Sequence, residues 1–422
     1  MSPKISVIMA TYNHAHYVGQ AIRSILDQSF SDFELLIVDD GSQDETASVV
    51  AGFADQRIRF TARTENRGSA ASRNELIRAS RGQYIAVQNS DDYWPLDKLA
   101  YQFELLENNP EFAAIFGRAT LVDRNSVLMP DPSSVFDQHN RSPAQWLRRF
   151  FEASNCLCHP TVMLRRSCQL DIGDYDCRYR QLPDMDMWVR LSKKYRLFVS
   201  DRSLVFFRVH NSNVSNPTKD SRTRSYNDQY LIASGFFDGL SKEMLLDGFG
   251  DLLVLKDPPS EIHCDIEKAL VYFKVNSPFR TMYRVLGLKR LHDLFASPIH
   301  RKILVEDYGI DNLAFQRLST EADTFRQAAE TQGSAEQHAN QDVRISSLEQ
   351  SVAERDAQIS VLRHSVLELE TRVSAANRAV ADREGQIAGI LASTSWQVTK
   401  PLRFAGRLLR SNTYRNDDPP TP

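Results

Sequence analysis

With 422 residues, 42% of them hydrophobic, the chain has material for two to three domains and a filled core. Its formal net charge of −3 provides no bulk field that would draw it to nucleic acid. Five cysteines, in a long chain whose opening Met1-Ser2-Pro3-Lys4 shows no basic-then-apolar leader, point to reduced thiols and a cytoplasmic location, and no apolar run reaches the ~20 residues a spanning helix needs.

Strand and helix patterns then alternate. Ile5 to Met9 is a mostly apolar strand, and Val18, Ala21, Ile22, Ile25 and Leu26 give Tyr17 to Leu26 helical spacing. Phe33 to Val38 predicts a second buried strand, closed by Asp39-Asp40-Gly41-Ser42. Thr46 to Phe53 reads as a helix, Ile58 to Phe60 as a short strand, Ser69 to Ser80 as a helix, and Tyr84 to Val87 as the next strand. This alternation implies an α/β fold with a mostly parallel sheet and helices on both faces. Ligands of such sheets bind beyond the carboxyl ends of the strands. Three ends should therefore converge: Thr11-Tyr12-Asn13, Asp39-Asp40-Gly41-Ser42 and Asn89-Ser90-Asp91-Asp92.

The last of these ends in adjacent carboxylates, which repel when desolvated. A hard cation such as Mg²⁺ or Mn²⁺, held by Asp91 and Asp92 and by a substrate phosphate, resolves that conflict. Two exposed loop aspartates before a helix are the plainer alternative. Asp40 is placed to accept a hydrogen bond from the imide N–H of a uracil-like base, with Tyr12 lying against the ring, while Arg67 and Arg73 can offset phosphate charge. Alternatively Asp39 and Asp40 merely end a strand and cap the next helix. No G-x-G-x-x-G follows the first strand, which argues against a dinucleotide site. Cys156-Leu157-Cys158-His159 lacks a second pair at zinc-like spacing. A further acidic pair, Asp184 and Asp186, precedes Met187, Leu191 and Lys194 at helical spacing, so both acids lie near a helix N-terminus, where N-capping by Asp184 is the simpler role.

The ordered segments Ser6-Val7-Ile8-Met9-Ala10-Thr11-Tyr12-Asn13, Leu36-Ile37-Val38-Asp39-Asp40-Gly41-Ser42, Asn66-Arg67-Gly68-Ser69-Ala70-Ala71-Ser72-Arg73-Asn74 and Arg81-Gly82-Gln83-Tyr84-Ile85 resemble a family 2 glycosyltransferase of the GT-A fold, in its bacterial spore-coat and surface-polysaccharide branch. The resemblance covers about the first half of the chain. It implies a Rossmann-like mixed sheet, with Asp40 on the nucleotide base, Arg73 near the nucleotide phosphates, and Thr11, Tyr12, Asn13, Arg67, Asn89 and Ser90 lining the nucleotide-sugar. It further implies that Asp91, with Asp92 second, binds the metal, and that His210 in Arg208-Val209-His210 completes the shell or faces the diphosphate. Two positions depart from the family pattern. Asn89 stands where the metal motif usually opens on Asp, and Pro183 replaces the acid that usually precedes the catalytic base, which leaves Asp186 as a substitute for Asp184. The implied activity is inverting, metal-dependent transfer of a sugar from a UDP-, dTDP- or GDP-linked donor to a hydroxyl of a glycan or lipid-linked acceptor in bacterial surface polysaccharide synthesis. The competing reading is a non-catalytic transferase-like scaffold.

The expected organisation is a transferase domain over 1–225, a helical extension over 226–328, a polar linker over 329–342, a coiled coil over 343–392, a basic amphipathic tail over 393–415 and a disordered end over 416–422. In the coil, heptad position a is Ile345, Val352, Ile359, Val366, Val373, Val380 and Ile387, all β-branched, and position d includes Leu348, Leu362, Leu369 and Ile390, interrupted by Arg355 and Arg383. β-Branched a with Leu at d favours a parallel two-stranded coil, hence a homodimer. The tail from Trp396 carries Lys400, Arg403, Arg407, Arg410 and Arg415 with Leu402, Phe404, Leu408 and Leu409. That mixture suits peripheral contact with the inner face of an anionic membrane, or a groove on another protein.

Overall fold

The computed structural model describes residues 2–130, 135–211, 213, 216, 218–321, 355, 369 and 372–398. The chain divides into two compact units, Met1–Thr324 and Phe325–Pro422. The first opens with β1 (Ile5–Thr11), α1 (Ala15–Leu26), β2 (Phe33–Asp39), α2 (Thr46–Ala51), β3 (Ile58–Ala62), α3 (Ser69–Ala79) and β4 (Tyr84–Asn89). Each predicted strand is present and runs further at its carboxyl end, so Thr11, Asp39 and Asn89 are the last paired residues. α4 (Lys98–Asn108), β5 (Phe112–Asp123), α5 (Pro143–Ala153), β6 (Met163–Arg165), α6 (Arg166–Ile172), α7 (Pro183–Ser192) and β7 (Arg196–Val209) complete the sheet layer.

The strand order is β3-β2-β1-β4-β6-β5-β7. β3, β2, β1 and β4 run parallel, in a register that sets Thr11 beside Asp39 and Ala10 beside Asn89. Every residue of β2 is buried, as expected for a strand covered on both faces. β6 runs antiparallel to both β4 and β5, whereas β5 and β7 pair parallel, so β6 is the strand that makes the sheet mixed. At Gly82 the chain enters β4 so close to β1 that an added Cβ would lie 2.5 Å from the Ser6 nitrogen.

Six helices follow: α8 (Lys219–Ser234), α9 (Lys242–Phe249), α10 (Glu261–Lys274), α11 (Arg280–Phe295), α12 (Pro298–Glu306) and α13 (Asn312–Glu321). A boundary between residues 225 and 226 falls inside α8, and the helices, besides a small cluster of their own around Ile266, Leu270, Leu291 and Leu304, share a core with the sheet layer. Phe151 of α5 packs against Phe236, Phe237, Phe249, Tyr272 and Tyr283, with ring centroids 4.4–5.8 Å away. One apolar cluster thus joins strand residues such as Ile85 and Phe116 to Phe236, Val271 and Leu286. Burial of this aromatic surface, at about 25 cal/mol per Å², ties the helices to the sheet layer.

In the second unit, residues 372–392 are helical and Thr394–Val398 form a short further helix. The heptad residues Leu369, Val373, Val380, Ile387 and Ile390 are exposed. The polar linker, most of the earlier heptads, the basic tail beyond Val398 and the last residues lie outside the described residues. Among the described residues no helix is long and apolar enough to cross a membrane. All five cysteines are free thiols.

Candidate active site

The carboxyl ends of β2, β1 and β4 lie side by side, and their loops are cross-linked. Asn13, with φ +54°, accepts the Gln43 N–H on its Oδ1 at 2.8 Å, while its own N–H donates to Ser42 Oγ at 2.8 Å. Asn tolerates this left-handed conformation better than most residues. The next residue, His14, is held by its N–H on Thr46 Oγ1 at 2.8 Å and by its Nδ1 against Ser90 Oγ at 2.8 Å. Ser90 is buried and used in orienting His14.

His14, Asp91 and His210 each offer one ligand atom, and these atoms all lie within 4.8 Å of one another. His210 Nε2 is 3.1 Å from Asp91 Oδ2, and its ring stacks on Tyr17 at 4.8 Å between centroids. Burial works to raise the Asp91 carboxyl, but the hydrogen bond from His210 and the nearness of His14 prevail, and its pKa falls below the ordinary aspartate value. Burial lowers the pKa of His14 despite Asp91, which favours the neutral imidazole a metal requires. Two imidazoles and a carboxylate make a donor set that fits a divalent cation.

Asp92 lies outside this group of three. Its Oδ1 accepts the Arg208 N–H at 2.8 Å and its Oδ2 accepts Asn89 Nδ2 at 3.0 Å. Burial, reinforced by the charge of Asp91, pushes its carboxyl well above the usual range. Asp92, expected as the second ligand, is not in that group, and His14, which the sequence reading passed over, is. Asn89, at the departed motif position, bridges Asp92 and Arg73, whose Nη2 donates to Asn89 Oδ1 at 3.4 Å. A carboxylate here would face Asp92 directly.

Arg208 fixes this loop to β7. Its buried guanidinium donates to the carbonyl oxygens of Asp91 (2.8 Å), Asp123 (3.1 Å) and Arg124 (3.0 Å), and to Gln20 Oε1 (2.6 Å).

At the end of β2, Asp40 is buried and largely engaged. Its Oδ1 accepts from Arg63 Nη1 (2.9 Å) and the Arg67 N–H (3.0 Å), and its Oδ2 from the Gly68 N–H (2.8 Å). Arg63, unnoticed in the sequence, balances its charge, whereas the Arg67 side chain is exposed. Tyr12 is 43% exposed. Thr11 Oγ1 is buried with no hydrogen-bond partner among the described residues.

Asp184 lies in the first turn of α7, where Oδ2 accepts from Asn155 Nδ2 at 2.6 Å and Oδ1 from the Met185 N–H at 3.0 Å. Burial raises its carboxyl above the ordinary value, although the Met185 N–H and the Arg73 guanidinium pull the other way. Asp186 instead makes a two-pronged ion pair with Arg190, at 3.0 and 2.7 Å. Burial lowers the pKa of the Arg73 guanidinium, while the charges of Tyr175, Asp184 and Asp91 act the other way. Asp40 and Asp91 thus follow the ends of β2 and β4, and Asp184 opens α7.

The family model for glycosyl transferase family 2 matches residues 6–170. The chain carries a family 2 glycosyl transferase domain. Among relatives, the transferase is 29% identical over 216 residues to the putative teichuronic acid biosynthesis glycosyltransferase TuaG of Bacillus subtilis, a match covering 50% of this chain and 82% of TuaG. It is 35% identical over 125 residues to WfgD of Escherichia coli, a UDP-Glc:alpha-D-GlcNAc-diphosphoundecaprenol beta-1,3-glucosyltransferase, covering 29% of this chain and 49% of WfgD. The crystal structure of Staphylococcus aureus TarS 1–349 with UDP aligns with a TM-score of 0.49 at 18% identity, over 73% of the transferase and 93% of TarS 1–349. Family and relatives alike place the chain among enzymes of glycosyl transfer.

Proposed function

We propose that the transferase is an inverting, metal-dependent enzyme that moves a sugar from a nucleotide-diphosphate donor to a hydroxyl of a glycan or lipid-linked acceptor in surface polysaccharide synthesis. The observation that carries this reading is the meeting of His14, Asp91 and His210 within 4.8 Å, supported by Arg73, which feels the charges of both Asp91 and Asp184. His14, Asp91 and His210 would hold a divalent cation, and the two imidazoles suit Mn²⁺ better than Mg²⁺, which prefers oxygen ligands. When bound, the cation supplies positive charge to the leaving diphosphate. Arg73 adds a fixed positive charge on the same side of the cleft.

Asp184 is the general base. The acceptor oxygen attacks the anomeric carbon opposite the leaving group, Asp184 takes the proton, and the electron pair of the broken C1–O bond leaves with the diphosphate. A carboxyl raised by burial is a better base for a hydroxyl than an exposed one. Asp186, neutralised by Arg190, is left to hold α7 in place. Asp40 retains acceptor capacity on Oδ2 for a base imide N–H, Tyr12 offers an open ring face, and Thr11 Oγ1 has an unused hydrogen-bonding group at the same strand end. UDP-, dTDP- and GDP-linked donors are the candidates, and UDP is the first to test. The exposed a and d residues of the second unit support pairing through a parallel coil, and the basic tail suits placing the paired heads at a membrane.

The test is UDP binding by calorimetry with and without Mn²⁺, together with nucleotide release from UDP-glucose, UDP-N-acetylglucosamine and GDP-mannose. Mn²⁺-dependent binding and turnover, both lost in Asp91→Ala, are expected. No binding and no turnover across the panel, with assembly through the coil intact, would establish the scaffold reading instead.

A further inference from the structure

We propose that Asp228 of α8 is the positioning residue that sets the base Asp184, and that α8 ties the base to the metal-binding side of the cleft. The inference rests on the reading of Asp184 as base. Leu182, the N-cap of α7, makes no side-chain capping bond, and the helix begins at Pro183, which has no N–H. The three preceding backbone N–H groups, of Arg180, Gln181 and Leu182, converge on Asp228 Oδ2 at 3.0, 2.7 and 3.1 Å. Asp228 is buried, so its charge has little water to turn to and is satisfied by this arc of amides. It does from a distant helix what a local capping residue normally does, and its negative charge sits at the favourable end of the α7 dipole. The anchored segment ends two residues before Asp184.

The same helix reaches the other side of the cleft. Asn216 Nδ2 donates to the His210 carbonyl oxygen at 2.9 Å, and Ser221 Oγ in the first turn of α8 donates to the Asn216 carbonyl oxygen. Ser221 and Asp228 are separated by about 10 Å of rigid helix at ~1.5 Å per residue. The backbone carrying His210 and the backbone carrying Asp184 are therefore both fastened to α8. Base catalysis depends steeply on placement, and a shift of about 1 Å can cost ~100-fold in rate.

The experiment compares Asp228→Ala, Asp228→Asn, Asp184→Asn and the double variant Asp184→Asn/Asp228→Ala in the full chain. Turnover is followed with whichever of UDP-glucose, UDP-N-acetylglucosamine and GDP-mannose the wild type cleaves fastest. Asp228→Ala should lower kcat roughly 30- to 100-fold while UDP affinity in Mn²⁺ stays within about twofold, a split that general loosening of the fold would not produce. Asp228→Asn, which keeps an acceptor oxygen, should recover most of the rate. The double variant should be no slower than Asp184→Asn alone, because a displaced base that is already gone costs nothing. Hydrogen exchange, which needs no substrate, should show lost protection over residues 180–188 in Asp228→Ala. An unchanged kcat, unchanged exchange over 180–188, a multiplicative loss in the double variant, or a matching fall in UDP affinity overturns the role of Asp228. If Asp184→Asn itself turns over at the wild-type rate, the base assignment fails instead, and the two failures are distinguishable.

Discussion

Asp91 and Asp92 are neighbours in sequence with opposite surroundings. Asp91 faces two imidazoles, whereas Asp92 faces the Arg208 N–H and the Asn89 amide. Ser90 and Asp91 form a turn closed by the Asp92 N–H on the Asn89 carbonyl oxygen at 3.3 Å, and the turn sends the two carboxylates to different partners. His14→Ala should raise the Mn²⁺ concentration needed for half-maximal UDP binding by roughly 10- to 100-fold, as loss of metal-site groups commonly does, while Asp92→Asn should shift it little. A calorimetric Mn²⁺ titration of both variants checks this. At Asp184 the prediction concerns pH. Burial raises its carboxyl, so the group is protonated and idle up to a higher pH than an exposed aspartate, and ionised and active above it. The rate should fall on the acid side with that limb displaced upward, and Asp184→Asn should abolish the limb while lowering the rate by ~10²- to 10⁴-fold. Asp186→Asn should keep both limb and rate, since that carboxylate is taken up by Arg190.

Elements differ in how openly the sequence displays them. β1, β2 and β4 are buried on both faces and appear as mostly apolar runs, interrupted by Ser6 and Glu34, so the strand ends that frame the site could be read directly. β5 and β7 could not, because register shifts between Phe112 and Ala114 and around Arg118 interrupt their alternation. His14 escaped for a different reason. It is 77 positions from Asp91, and only the pairing of β1 with β4 shows that the two loops are neighbours. The signal available was its position immediately after Asn13 at the end of β1. The element that most needs its anchor is the loop after β4. Arg208→Met would remove the donor that the carbonyls of Asp91, Asp123 and Arg124 share, at a cost of about 3 kcal/mol for charge-assisted bonds. Gly82→Ala, which drives a Cβ into the β1 backbone, should cost about 1–3 kcal/mol. Urea unfolding of the two variants gives both numbers.

At the scale of the whole molecule, the heptads carry a prediction of their own. The full chain should sediment at twice its sequence mass, and a chain ending near Thr324 at once. Equal numbers of chains per particle in both would remove the coil from assembly. The heptad pattern is plain in the sequence because such a repeat is written locally, seven residues at a time. What the sequence could not display was that the helices after β7 share a core with the sheet layer, since that contact is made by single rings far apart in the chain. Phe151 sits among five aromatic rings drawn from the segment that follows α8 and from α9, α10 and α11. Anyone exchanging acceptor-side helices between related enzymes must therefore move the partner face of α5 with them. A chimera joined at the end of β7 would expose a greasy wound on the donor half and strand an orphan bouquet of rings on the other.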